Sequence, residues 1–367
     1  MFFNLSLRTH CMVVIAALGS HSALEIARGS RQEGIPNVIV CQKGREKSYS
    51  YYNRRELMGK QAGFIDEILV LPKFSDVAKK NVEKRLLGKK AVFVPNRSFS
   101  VYVGYDKIEK FKVPIFGNRL MLRIEERDEK PNQYDLLRKA GIRTPRIMEP
   151  GKIDSLCLVK VPEASRSYER GNFLVSSSEE LERKSDEMIR KGIITKQGMN
   201  KAVIEEFVVG AYFNFNFFYS PLLGELELMG IDFRRQTNLD GFLHLPAEQQ
   251  REAMRHVTLK TIEAGHVACT IRESLLEKVF EAGEKFVGAS KKMFKPGIIG
   301  PFALQSVVTA GPPEEDIVVY DVSPRMPGSP GIEFTPYSRW GQMGMGRRIA
   351  MEIKEAKRNG RLKEITT

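Results

Sequence analysis

The apolar run Val13-Val14-Ile15-Ala16-Ala17-Leu18 breaks abruptly into Gly19-Ser20-His21-Ser22, and that junction restricts the fold more than any other stretch of the chain. So short a run, bounded by turn residues, reads as a buried strand. The amphipathic stretch from Ser22 to Glu33, closed by Gly34, predicts a helix, and Val38-Ile39-Val40 predicts the next strand. Strands are predicted again over 65–71 and 91–94, with a helix over 76–87 between them. Strand and helix in alternation give a parallel α/β sheet.

After Pro114-Ile115-Phe116-Gly117-Asn118-Arg119 the rhythm changes. A charged helix, a turn at Ala140-Gly141 and a strand over 156–160 follow. From about Ala202 strands dominate, over 203–208, 212–219, 226–232, 302–308 and 317–322. The last two thirds therefore read as α+β with an antiparallel sheet.

A length of 367 residues accommodates two to three domains at roughly 150 residues each. The hydrophobic share of 42% and charged share of 28% are those of an ordinary globular protein. The longest apolar runs, such as 12–18, fall far short of the roughly 20 residues that cross a bilayer, so no membrane span is expected. Residues 1–11 read as an extension before a second start at Met12, because Asn4, Arg8 and His10 interrupt what would otherwise look like a signal peptide. Cys11, Cys41, Cys157 and Cys269 have no metal-type spacing and imply buried thiols in a reducing cytoplasm. The net charge of +13 raises nucleic acid as a partner. The basic residues are interleaved with acids, however, as over 119–128, and no basic patch carries aromatics, so a solvated surface is preferred. A pocket for phosphorylated ligands would draw on the same field.

In the first turn, Gly19 permits close approach of the backbone, and free N–H groups at the helix start face any anion bound there. His21 adds a titratable donor. A plain capping turn with Ser20 or Ser22 as N-cap accounts for the same residues. Pro95-Asn96-Arg97-Ser98-Phe99 repeats the form later, and in an open parallel sheet such strand ends line the ligand crevice. Gln305 closes the run Pro301-Phe302-Ala303-Leu304, and Asp321 closes Ile317-Val318-Val319-Tyr320. Oxygen ligands at two adjacent strand ends suit Mg²⁺, which takes one or two protein oxygens beside phosphates and water. Arg325, shortly after, is placed to contact a transferred phosphoryl group. Read alone, each of these polar residues is also an ordinary surface residue.

Taken together, Ala17–Ala23 (ALGSHSA), Pro114–Arg119 (PIFGNR), Ile204–Gly210 (IEEFVVG), Phe218–Leu222 (FYSPL), Asn238–Gly241 (NLDG), Ile271–Leu276 (IRESLL), Gly297–Gln305 (GIIGPFALQ) and Asp321–Arg325 (DVSPR) resemble, in order, the archaeal formate-dependent FAICAR synthetase family of the ATP-grasp superfamily. The resemblance implies an N-terminal Rossmann-like (pre-ATP-grasp) domain over 12–118. A helical linker and ATP-grasp lid over 119–210 and a C-terminal catalytic subdomain over 211–360 would follow, with ATP between the last two. It further implies the reaction of formate, AICAR and ATP to FAICAR, ADP and phosphate through formyl phosphate, in purine and IMP biosynthesis. By matching positions, His21, Ser98 and His266 would bind the ribonucleotide. Lys160, Glu205, Glu206, Phe207, Val208 and Gln236 would bind ATP. Gln305 and Asp321 would hold Mg²⁺ or Mn²⁺, and Arg325 would be catalytic. The partners implied are small ribonucleotide and carboxylate substrates and further copies of the chain, in the cytoplasm, with neither nucleic acid nor membrane.

The chain departs from the family pattern in several places. The family has Glu at the positions of Asp321 and Gln236, Asn at that of His266, and His-Gly at Asn96-Arg97. Its glycine-rich lid loop is replaced by Val161–Phe173, which has one glycine, and its V-D-G-G-T-N stretch by Met326–Gly331. These departures are those of a diverged paralogue. They leave two alternatives, an ATP-grasp enzyme for another carboxylate or amine, and a non-catalytic nucleotide-binding protein.

Overall fold

The structure is a computed structural model, and it describes residues 13–126, 129–162, 171–259, 262–311 and 314–367. The readings of residues 1–11, of Cys11 and of the altered loop over 163–170 lie outside the described residues.

The first sheet is built from β1 (Val14–Leu18), β2 (Asn37–Gln42), β5 (Glu67–Leu71) and β6 (Ala91–Phe93), in the order β5-β2-β1-β6 and all parallel. A small hairpin of β3 (Arg55–Leu57) and β4 (Lys60–Ala62) interrupts it. Both faces of β1 are buried: Ile15 and Ala17 enter one core and Ala16 and Leu18 the opposite one. That double burial is why β1 is continuously apolar. The helix expected over 76–87 is two pieces, a 3₁₀ turn over Phe74–Ala78 and an α-helix over Lys80–Gly88, because Lys79 between them is extended.

The first helix, Ala23–Gln32, packs against the far later helix Met345–Arg358. Their backbones touch at two glycines. A Cβ on Gly29 would lie 2.1 Å from the Arg347 nitrogen, and one on Gly346 would lie 2.2 Å from the Glu25 carbonyl oxygen. The last long helix therefore shares a core with the first sheet, together with Phe218 and Met229.

A three-stranded antiparallel sheet, β7 (Cys157–Lys160), β8 (Asn172–Val175) and β9 (Val203–Glu206), has the order β8-β7-β9 and its own core of Cys157, Val159, Leu181 and Ile204. The largest sheet is antiparallel throughout, β12-β11-β10-β13-β14, with β10 (Ala211–Ser220), β11 (Glu225–Gln236), β12 (Glu263–Ala268), β13 (Gly300–Thr309) and β14 (Asp316–Ser323). Helix Leu276–Met293 covers one face, where Phe286 stacks on Phe302 and Phe302 on Phe217. β12 and both long C-terminal helices escaped the sequence reading. Among the described residues no helix is long and apolar enough to cross a membrane. The described cysteines, Cys41, Cys157 and Cys269, are free thiols, and Cys269 is only half-buried.

Candidate active site

The turn after β1 runs through His21 and Ser22 at positive φ, 37° and 65°. A left-handed conformation costs about 1–2 kcal/mol for each non-glycine residue, so the turn needs support from outside. Asn96 Nδ2 supplies some of it, donating to the carbonyls of Leu18 at 3.0 Å and Ser20 at 2.8 Å. Ser22 does not cap its own helix; its hydroxyl donates to the Pro327 carbonyl at 2.6 Å, on the loop after β14. Asn96 also accepts from Phe99 N at 3.2 Å and caps helix Arg97–Val103, in whose first turn Ser98 is buried. The two turns singled out in the sequence are thus joined through one asparagine.

On the largest sheet, register builds a polar line across four strands. Asn214 on β10 pairs with Asp232 on β11 and with Gln305 on β13, and Gln305 pairs with Asp321 on β14. Gln305 and Asp321 sit within their strands, which continue to Thr309 and Ser323, and not at strand ends as the apolar runs implied. Gln305 Nε2 donates to Ser323 Oγ at 3.2 Å, while its Oε1 is buried without a partner. Asp321, directly opposite, accepts from Gln133 Nε2 at 2.9 Å. An orphaned amide oxygen on the residue paired across the strands with a carboxylate is a donor set that fits Mg²⁺, which prefers few protein oxygens.

At the other end of the line, Asp232 accepts from Asn214 at 2.8 Å and Asn216 at 2.7 Å, and it holds His266 Nδ1 at 2.5 Å. His266 Nε2 lies 3.1 Å from Glu263. Burial opposes a charge on this ring, yet the hydrogen bonds to Asp232 and Glu263 and their negative charges outweigh it and lift its pKa to about 9. His21 behaves in the opposite way. Burial and the positive charges of Arg325 and His266 prevail over Glu263 and Glu125 and hold it down at about 4. Both rings press on Gly328, where a Cβ would meet His21 Nε2 at 2.9 Å and His266 Nε2 at 3.2 Å.

Arg325 is buried and faces Glu125: its Nη2 donates to Glu125 at 2.7 Å, its Nε to the same carboxylate at 3.2 Å, and its Nη1 to the Met326 carbonyl. Arg97 Nη1 approaches Glu125 at 3.1 Å and Glu126 at 3.2 Å. Burial alone would raise Glu125, but Arg325 and Arg97 pull its pKa below the usual carboxylate range. The guanidinium read as a phosphoryl contact is therefore anchored by a carboxylate at the end of the 3₁₀ segment Arg119–Glu125.

Lys160, at the end of β7, is buried in an ion pair with Glu205 of β9, and Glu205 also accepts from Tyr134. The Lys160 ammonium lies 5.8 Å from the centre of the Tyr320 ring, which ties the small sheet to β14 beside Asp321. Glu206 points elsewhere, to Arg146 at 3.2 Å. Phe207 N donates to the Leu156 carbonyl at 2.8 Å, and Phe207 and Val208 are half-buried directly after β9. Gln236 ends β11 opposite Glu263.

The structure thus brings His21, His266, Arg325, Gln305 and Asp321 into one polar region, with Lys160 and Glu205 at its edge. Glu206 is turned aside. The sequence reading missed Asn214, Asn216, Asp232, Glu125 and Gln133. A signal existed for the asparagines, since they alternate with Phe213, Phe215 and Phe217 and must face away from the aromatic core. Glu125 and Gln133 act across more than 180 residues of sequence and left none.

Two family models match, one described as a domain of unknown function (DUF1297) over residues 180–367 and one as a protein of unknown function (DUF1246) over 15–148. The 5-formaminoimidazole-4-carboxamide-1-(beta)-D-ribofuranosyl 5'-monophosphate synthetase of Methanopyrus kandleri is 38% identical over 358 residues, 96% of this chain and 94% of that one. The synthetase of the same name from Methanocaldococcus jannaschii is 38% identical over 351 residues, 94% of this chain and 92% of its own. Among solved structures, the IMP biosynthesis protein PurP from Thermococcus kodakaraensis superposes with a TM-score of 0.70 at 27% identity, over 96% of this chain and 100% of that one. The ADP complex of PurK, N5-carboxyaminoimidazole ribonucleotide synthetase, shares the fold with a TM-score of 0.57 at 12% identity, over 91% of this chain and 75% of its own. With identity of this level sustained along nearly the whole of both chains, the protein belongs to the 5-formaminoimidazole-4-carboxamide ribonucleotide synthetase family of ATP-grasp carbon–nitrogen ligases.

Proposed function

We propose that the chain forms FAICAR from formate, AICAR and ATP through formyl phosphate, as a step of IMP biosynthesis in the cytoplasm. The observation that carries this reading is the polar line across the large sheet, with the orphaned Gln305 oxygen opposite Asp321 at one end and His266 beside His21 at the other. One end suits a metal-bound triphosphate and the other a polar ribonucleotide. Mg²⁺ or Mn²⁺ bound by Gln305 and Asp321 would neutralise charge on the phosphates and make the transferred group a better electrophile. Lys160 neutralises further phosphate charge once it exchanges Glu205 for the ligand. The hinge over 205–208 lies along the adenine, with Gln236 as a further ATP contact. Ser98 and His21 bind the ribonucleotide. Arg325, held rigid by Glu125, presents a fixed positive field to the phosphoryl group in transit. The division at 118 and 210, with ATP between the lid and the last domain, follows the same reading, as does a homo-oligomeric assembly acting on small molecules without nucleic acid. Identity of 38% over nearly full length favours this activity over a paralogue with another carboxylate or a non-catalytic binder. The test is formate-dependent ADP release in the presence of AICAR and Mg²⁺. No release above background with all substrates present would refute the assignment.

A further inference from the structure

The metal ligands, Lys160 and Arg325 serve the phosphoryl transfer, but none of them takes the proton that the amine must lose when it is acylated. Among the described residues of this region the carboxylates are engaged. Glu125 holds Arg325 and Arg97, Asp232 holds His266 and two asparagines, Asp321 accepts from Gln133, and Glu263 lies between His266 and Arg234. His21 is different: its Nδ1 is buried without a partner. Its backbone is left-handed, as is that of the next residue, and bonds from the loop after β14 and from Asn96 hold the turn that way. Strain maintained by long-range bonds is a mark of a side chain being aimed. The ring it aims meets His266 at Gly328, whose missing side chain leaves the corner open to both Nε2 atoms.

We propose that His21 accepts the proton lost by the substrate amine, and that His266, fixed beside it by Asp232, is a positioning residue for that transfer. The proposal rests on the acyl-phosphate reading above. In the step, the amine lone pair forms a C–N bond to the acyl carbon, the bond from that carbon to the phosphate oxygen breaks, and phosphate leaves with the electron pair. The N–H proton passes to the imidazole of His21, which becomes imidazolium and returns the proton to water or to the departing phosphate. The charged groups facing His21 are Arg325, Glu263, His266 and Glu125, and together with burial they leave it neutral near pH 7, able to accept. A nitrogen attached to an imidazole ring is a weak base that becomes strongly acidic only as the C–N bond forms, so a weakly basic acceptor suffices. The cations beside His21 then favour its prompt deprotonation.

The full-length protein is assayed in two ways, by trapping the acyl phosphate with hydroxylamine in the absence of the amine, and by steady-state acylation of AICAR across pH. His21→Gln should keep hydroxamate formation within about twofold and lose roughly 10²- to 10³-fold in kcat for the amine, while KM for AICAR, which the ring also contacts, rises by at most about tenfold. His21→Asn, run beside it, controls for lost packing and should behave alike. His266→Asn removes one cation from His21 and frees the pull of Glu263, so the acid limb of kcat/KM should move upward by roughly half to one pH unit. A loss confined to the amine KM, or an acid limb unmoved in His266→Asn, overturns the proposal. Absence of hydroxamate with the unmodified protein sinks the acyl-phosphate reading first and this proposal with it, which separates the two failures.

Discussion

Gln305 and Asp321 lie opposite one another only because β13 and β14 pair in one register, with an irregularity directly after Gln305. Replacing Asp321 with Ala leaves the site without its carboxylate, and Mg²⁺-dependent turnover should fall by about 10²-fold or more, as loss of several kcal/mol of charge stabilisation requires. Initial rates across a Mg²⁺ titration read this, and an unchanged rate would remove Asp321 from the metal site. Gly328→Ala is the sharper steric test. Its methyl would lie 2.7 Å from His21 Cε1 and 3.2 Å from His266 Nε2, so both rings must shift. KM for AICAR should rise roughly tenfold while ATP affinity stays, since a displacement of a fraction of an ångström reaches only the ring end of the site. Equal loss for both ligands, measured by calorimetry, would show a general collapse. His21, Gln305 and Asp321 stood out in the sequence as polar residues at the edge of apolar runs. What their side chains do could not be read there, because Gln133 reaches Asp321, and Glu125 and Arg325 act on His21, from distant segments.

Along β10 the polar face and the aromatic face alternate residue by residue, and the elements to either side translate that pattern into pH dependence. His266 has its pKa raised above an unfolded value near 6.5, so its contribution to stability is complete below pH 6.5 and fades as pH rises towards about 9. For His21 the folded pKa is depressed, so the unfolded chain binds the proton more readily, and stability falls as pH drops from 6.5 towards about 4. Thermal unfolding of His266→Asn should therefore lose the decline between pH 7 and 9 seen with the unmodified protein. A decline of the same size in both would mean that another group titrates. The buried network under β11 gives a second test. Arg348 is enclosed between Glu227 and Glu352 and stacks on Phe218 with its guanidinium 4.2 Å from the ring centre. Glu227→Ala leaves that charge underpaired and should cost about 3–5 kcal/mol in denaturant unfolding. A loss below about 1 kcal/mol would mean that Glu352 alone satisfies the arginine. Strands and the first helix were legible because their apolar periods are clean. β12 was not, since Glu263-Ala264-Gly265-His266 carries its polar residues for the site and has little apolar content to announce a strand.

At the scale of the whole molecule, the division into a parallel first third and an antiparallel remainder was visible in sequence, but the closure of the first sheet by the 345–358 helix was not. That closure depends on Gly29 and Gly346, two small residues more than 300 positions apart. A chain ending at residue 343 should leave Ile26, Ala27 and Ile39 uncovered, bind a hydrophobic dye and lose its sharp thermal transition. A cooperative transition retained near the full-length midpoint would show that the first sheet closes without the helix. The same docking sets an order of events during synthesis. Strand β6 leaves the ribosome about 250 residues before the helix that covers its sheet, which at 5–20 residues per second is a wait of roughly ten to fifty seconds. Throughout that interval this face of the parallel sheet is covered only by the first helix, whose Ile26 and Ala27 still lack the late helix they pack against, so the growing chain is a natural client for a holding chaperone, and its core is completed only when the 345–358 helix emerges.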